Sequence, residues 1–298
     1  MVKVDLITGF LGSGKTTFIT KYVKYLMSIG ERICILENDF GSINVDMMLL
    51  ADLGCDREMV IGGDFDCHKR RFKTKLITMA IKGYTRVIIE PSGIFDTDEF
   101  FDLLYEDPLN DLYEIGNVFC LYDINTNNLS YESKYFLVSE ASPAAKLIIS
   151  KRKNNETVDL NYINSIMAEF DCKRIFTNDD ILYTDSIEFD KILNLGYKNY
   201  SFIKPVNIQN INYDSVYYLN KKYNKDEIID IKNKLFNDKD YGKIVRIKGF
   251  IKADSNWIKI NITNDSFDYE KIDEGQEVII IIGENLNKEK IDLLFNNR

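Results

Sequence analysis

Four prolines in 298 residues leave little room for a proline-rich linker. The five cysteines (Cys34, Cys55, Cys67, Cys120 and Cys172) are odd in number and scattered. In a reducing compartment they do not read as a disulfide framework. No run approaches the roughly 20 apolar residues of a membrane-spanning helix. Basic residues are the minority, 38 against 47 acidic ones, for a formal net charge of −9. That balance disfavours non-specific nucleic-acid binding, which needs a basic face to neutralise phosphates. The opening stretch MVKVDLITGF runs straight into a glycine motif with no signal-peptide cleavage region, so a cytoplasmic protein is expected. What is present, 45% hydrophobic and 29% charged residues, suits a globular chain of about two domains.

The first two-thirds alternate short apolar runs with helical patterns. Val2–Thr8 reads as a strand that ends in Gly9, and Lys15–Ile29 as a helix that stops at Gly30. Further strands are expected at Arg32–Leu36, Arg86–Glu90, Asn117–Ile124, Ala145–Ser150 and Lys173–Thr177. Runs without internal alternation, separated by helices, imply a mostly parallel sheet buried on both faces, an α/β domain over residues 1–198. Past about residue 198 the pattern changes. Strands at Tyr213–Leu219, Lys243–Lys252, Trp257–Thr263 and Glu277–Gly283 join helices at Lys225–Phe236 and Lys288–Phe295. They predict a smaller α+β domain over residues 199–298, beyond a polar, asparagine-rich boundary.

The sharpest signal is Gly9-Phe-Leu-Gly12-Ser13-Gly14-Lys15-Thr16, followed by Thr17. It fits G-x-x-x-x-G-K-[ST] and lies between a predicted strand and a predicted helix, the context of a P-loop. Glycines let successive main-chain N–H groups turn inward around an anion, and the helix N-terminus adds to that field. Lys15 would reach the terminal phosphates, and the Thr16 hydroxyl would ligate Mg²⁺. Glu90, closing a predicted strand before Pro-Ser-Gly93, can hold a water of the Mg²⁺ shell or cap the strand in an ion pair. Asp39, in Glu37-Asn-Asp-Phe-Gly41, can orient water or contact Mg²⁺, or stand in a plain acidic turn.

Together these residues resemble the CobW family of P-loop GTPases, related to the urease and hydrogenase maturation GTPases. The likeness rests on Gly9–Thr17, Glu37–Gly41 and Glu90-Pro-Ser-Gly-Ile94. In the tail it rests on Val245-Arg-Ile-Lys-Gly-Phe-Ile251 and Ile279–Gly283. The resemblance implies a Mg²⁺-dependent GTPase that couples hydrolysis to metal delivery or metalloenzyme maturation, with a client metalloprotein as partner and a homo-oligomer as one option. Two departures matter. Where the family carries Cys-x-Cys-Cys, this chain reads Gly63-Asp64-Phe65-Asp66-Cys67-His68. Asp64, Asp66, Cys67 and His68, with Cys55 as a further donor, form a mixed set that tolerates Zn²⁺, Co²⁺, Ni²⁺ or Fe²⁺; a solvated acidic turn is the alternative. Where the family carries Asn-Lys-x-Asp, this chain reads Ser150-Lys151-Arg152-Lys153. Lys151 remains for the nucleotide, but lysine at 153 cannot accept the guanine protons, which opens ATP as a substrate. The run Lys69–Lys75 reads as a solvated helix face, with Arg70 and Arg71 as candidates for a lid if the protein were instead a P-loop kinase. A non-catalytic nucleotide switch is the other alternative.

Overall fold

The computed structural model describes all residues except 11, 40–52, 62–64, 92–96, 154, 206–212, 254–255, 265, 274 and 297–298. The side chains at 38–39, 61, 65–68, 99, 213–214, 253 and 296 are likewise not described. The described residues fall into two compact units, the first reaching Pro205 and the second starting at Tyr213.

The first unit carries β1 (Val2–Gly9), α1 (Lys15–Ser28), β2 (Ile33–Asp39), β3 (Asp56–Ile61), α2 (Phe65–Ile81) and β4 (Arg86–Pro91). After these come α3 (Thr97–Leu104), α4 (Leu109–Leu112), β5 (Tyr113–Asp123), α5 (Tyr131–Ala141), β6 (Lys146–Ser150), α6 (Leu160–Glu169) and β7 (Ile181–Tyr183). Its seven strands form one parallel sheet in the order β3-β2-β4-β1-β5-β6-β7, flanked by helices. Strands β1, β2, β4, β5 and β6 bury residues of both parities, for example Leu6 with Ile7, Leu36 with Ile35, and Ile89 with Ile88. That is why their sequences read as continuous apolar runs.

Helix α1 shows how the first face is packed. Phe18, Ile19, Tyr22, Val23 and Leu26 recur on one stripe and are buried against Ile7, Ile35, Ile88 and Phe119 of the sheet. Phe18 meets Phe119 edge-on at 5.8 Å, a favoured aromatic geometry. The helix stops where Gly30 turns left-handed (φ +90°) and its N–H bonds the Met27 carbonyl at 3.0 Å.

Three sequence readings need correction. The strand expected at Lys173–Thr177 is irregular, and the last strand of the sheet is β7, at Ile181–Tyr183. The backbone at Phe176 is bonded by a side chain in place of a ladder: its N–H reaches Asn164 Oδ1 (2.8 Å) and its carbonyl accepts from Asn164 Nδ2 (3.0 Å). Two strands were not anticipated: β3, and β11 (Phe267–Ile272) of the second unit. Both lie at sheet edges, where one flank meets solvent and charged residues such as Glu58 and Glu270 interrupt the apolar pattern.

The second unit contains β8 (Tyr213–Leu219), α7 (Lys225–Asn237), β9 (Lys243–Ala253), β10 (Asn256–Ile262), β11, β12 (Val278–Glu284) and α8 (Lys288–Asn296). The five strands pair antiparallel in the order β11-β10-β9-β12-β8. Ile228, Ile231 and Leu235 of α7 and Ile291 and Phe295 of α8 share one core with Ile247, Ile260 and Ile281 of the sheet. Helix α7 starts in a capping box, Asn224 with Glu227. Gly249 is fixed by close approach, since a Cβ there would lie 2.0 Å from the Val278 carbonyl oxygen.

Among the described residues no helix is long and apolar enough to cross a membrane.

Candidate active site

The site lies at the carboxyl ends of the central parallel strands, where α/β sheets open a crevice. Gly9 closes β1 in a left-handed conformation (φ +130°). A Cβ at that position would stand 2.4 Å from the Leu121 carbonyl oxygen and 2.8 Å from Ser13 Oγ, so only glycine fits. The chain then turns on the Ser13 N–H, which bonds the Phe10 carbonyl at 3.0 Å. Gly14 (φ +92°) is the N-cap of α1, with no side-chain cap and no acidic residue in the first turn. The helix N-terminus therefore presents its amides and partial positive charge with no resident anion.

Lys15 is buried, and its ammonium folds back over this loop, donating to the carbonyls of Gly9 (2.7 Å) and Phe10 (3.2 Å). A buried ammonium needs such partners, and phosphate oxygens can replace them. Ser13 Oγ is buried in the same loop with no hydrogen-bond partner among the described residues. Thr16 Oγ1 donates to Glu90 Oε1 at 3.5 Å, which brings the hydroxyl and the carboxylate to one point at the end of β4. These are hard oxygen donors of the kind that Mg²⁺ takes, and Glu90 stands beside Glu37 in the β2–β4 register. Gly12 (φ +82°) completes the loop, while Thr17 is exposed on α1.

At the other end of the site, Ser150 closes β6 and lies beside the loop: a Cβ on Gly14 would sit 3.5 Å from Ser150 Cβ. Lys151, at φ +57°, pairs with Asp123 at 2.8 Å. Arg152 forks onto Asp185 (2.8 and 2.7 Å), with its guanidinium 4.0 Å over the Tyr183 ring. Lys153 is exposed. The Ser150–Lys153 stretch is thus held by two ion pairs and a cation–π contact that the sequence pattern did not foretell.

The expected transition-metal set falls outside what is described. Asp64 is outside the described residues, and Asp66, Cys67 and His68 are placed by backbone alone in the first turn of α2. Asp39 ends β2, and its side chain is likewise not described. Among the described residues no group of three or more His, Cys, Asp or Glu side chains could hold a metal ion. On α2, Lys69 and Lys73 both pair with Glu106 (2.7 and 2.9 Å), and Lys75 pairs with Glu58. That run is a helix face supplied with its own acids.

Sequence reasoning missed Glu140, on the last turn of α5. It is fully buried, and neither carboxyl oxygen completes a hydrogen bond among the described residues. Burial pushes its carboxyl up to about 8, against the opposing pull of the Lys15 ammonium and the Gly9 N–H. The signal was available as a lone acid in the apolar run Tyr135-Phe-Leu-Val-Ser-Glu140-Ala.

Against known proteins, the profile described as CobW/HypB/UreG, nucleotide-binding domain, matches residues 3–174. The zinc chaperone YeiR of Escherichia coli (strain K12) is 33% identical over 125 residues, 41% of this chain and 38% of YeiR. The zinc chaperone YjiA of the same strain is 28% identical over 130 residues, 41% of this chain and 40% of YjiA. Those matches span about two-fifths of each relative's length. The crystal structure of Zn(II)-bound YjiA GTPase from E. coli aligns over 99% of this chain and 98% of that one, at 17% identity and a TM-score of 0.35.

Proposed function

The chain belongs to the CobW/HypB/UreG family, and from that footing we propose that it is a Mg²⁺-dependent nucleoside triphosphatase that couples GTP binding and hydrolysis to metal delivery or metalloenzyme maturation. The observation that carries this reading is the loop from Gly9 to Thr16. Lys15 is buried on main-chain carbonyls, Ser13 Oγ has no partner among the described residues, and the Thr16 hydroxyl faces Glu90.

In this reading the β- and γ-phosphates take the amides at the start of α1, and Lys15 exchanges its two carbonyls for phosphate oxygens. Thr16 and Glu90 would hold Mg²⁺, which when bound neutralises charge on the β- and γ-phosphates. Phosphoryl transfer asks little covalent work of the protein, so the loop acts by position and by fixed positive potential. Asp39, at the end of β2, is assigned to orienting the attacking water. The names of the relatives support a metal cargo, and Asp64, Asp66, Cys67 and His68 are the proposed donors, with Zn²⁺, Co²⁺, Ni²⁺ and Fe²⁺ as the ions to try. The second unit supplies a surface for a client metalloprotein.

A second reading concerns the base. Lys153 stands where an aspartate would accept two guanine hydrogen bonds, and Lys151 and Arg152 are committed to Asp123 and Asp185. This favours relaxed base choice, with ATP as a competent substrate. Phosphate release from GTP and ATP, measured with and without added transition metal, tests both readings. Turnover of either nucleotide that disappears in Lys15→Ala is the expected result. Unchanged turnover in that variant would refute the assignment of the loop.

A further inference from the structure

Helix α5 places the fully buried Glu140 carboxyl against the start of the phosphate loop, facing the Gly9 N–H and within the field of the Lys15 ammonium. Among the described residues, the groups packed around it are few. From β1, Thr8 Oγ1 donates to the Phe119 carbonyl (3.1 Å) and to the Glu140 main-chain carbonyl (3.4 Å), and the Gly9 N–H faces the carboxyl. From α1 comes the Lys15 ammonium, and from β5 the buried Cys120 thiol, which burial and Glu140 itself push up. Arg174 spends its guanidinium on the carbonyls of Ala141 and Ser142 (2.7 and 2.8 Å), at the end of α5. From α3, Thr97 bonds the Ser139 carbonyl at 2.7 Å and brings no charge. No cation among these makes a hydrogen bond to the carboxyl. An ionised carboxylate in so dry a place is costly, whereas a neutral acid is tolerated.

We propose that Glu140 is a positioning residue for the phosphate loop: protonated, it leaves the Lys15 ammonium to the nucleotide, and ionised, it weakens phosphate binding. This rests on the nucleotide reading of the loop given above. Two effects share one sign. A negative charge beside the loop opposes the phosphates, and it also competes for Lys15. By linkage, a bound nucleotide raises the proton affinity of Glu140, so binding near pH 8 takes up a proton. The apo protein carries the same signature in its stability. A carboxyl raised in the folded state favours folding at low pH, and that contribution declines from the ordinary carboxylate range and is gone above about 8.

The test is equilibrium binding of GTP and of ATP, each with Mg²⁺, from pH 7 to 9, where the phosphates themselves stay ionised. Wild type and Glu140→Gln are compared, and thermal melting checks that each is folded. The expected result is an affinity about fivefold weaker at pH 9 than at pH 7 in the wild type, as one pK unit of coupling gives over that window, and a nearly flat profile in Glu140→Gln. Infrared titration of the nucleotide-free wild type gives a second readout that needs no variant: a protonated buried carboxyl band at pH 7 that is lost near pH 8. A pH-independent wild type, an equal slope in Glu140→Gln, or no protonated band at pH 7 would overturn the proposal alone. No binding of either nucleotide at any pH would sink the nucleotide reading itself and the proposal with it.

Discussion

Two regions of the first unit bury polar groups equally well and treat them oppositely. Toward the starts of the strands, Asp5 is fully buried and fully bonded. Arg86 donates to both its oxygens (2.8 and 2.7 Å), and Tyr22 donates its hydroxyl at 2.7 Å. Asn117 ties Tyr22 to the main chain of Leu193 and Leu195. Gly116 leaves room for this network: a Cβ there would fall 2.4 Å from Asp5 Oδ1. At the strand ends near the P-loop, Ser13 Oγ and both Glu140 oxygens make no hydrogen bond among the described residues, and Lys15 leans on main-chain carbonyls. Within the Asp5 network only Arg86 Nε lacks a hydrogen bond among the described residues, and it stands 3.7 Å from the Glu31 carboxylate. Buried polar groups normally find partners, so a carboxylate with both oxygens bonded marks structure, and unfilled groups around a helix N-terminus mark a place for a ligand.

The largest expected effect breaks the Asp5 network. Arg86→Met strands the Asp5 carboxylate in the core and should cost about 3–5 kcal/mol of stability, read by urea unfolding. A loss below about 1 kcal/mol would mean that the network is not structural. Next is Lys15→Ala at the open region. Phosphate release should drop by roughly a hundredfold or more, the scale for losing one group that stabilises transition-state charge. Urea unfolding should show far less change than in Arg86→Met. Lys153→Asp sharpens the comparison on the base side. Restoring a charged acceptor, worth about 1.5–3 kcal/mol, should raise the ratio of GTP to ATP affinity by roughly ten- to a hundredfold. An unchanged ratio would remove residue 153 from base recognition. The smallest stability effect belongs to Ser13→Ala. Removing a buried hydroxyl that has no partner should leave stability within about 0.5 kcal/mol while weakening nucleotide binding. A clear loss of stability would place a partner on that hydroxyl.

The same contrast explains what could be read from the sequence. The loop from Gly9 to Thr16 was legible because each residue answers a local demand: a left-handed turn at Gly9 and Gly14, an ammonium at 15, a hydroxyl at 16. Central strands such as β1 and β4 were legible because burial on both faces leaves an apolar run. Edge strands β3 and β11 were not, since charged residues interrupt both and four of the six β11 residues are exposed. The segment 173–177 misled because Arg174 and Phe176 are held by Asn164 and by the end of α5, contacts distant in sequence. Glu140 and the Asp123–Lys151 and Arg152–Asp185 pairs were invisible for the same reason. Each acquires its meaning from a neighbour that only the fold supplies.

The most direct measurement is a crystal structure with a non-hydrolysable GTP analogue and Mg²⁺ in excess. The account predicts the β-phosphate on the main-chain N–H groups of residues 13–16, with Lys15 Nζ transferred from the Gly9 and Phe10 carbonyls to phosphate oxygens. A loop with Lys15 still on those two carbonyls and the analogue bound elsewhere would contradict it.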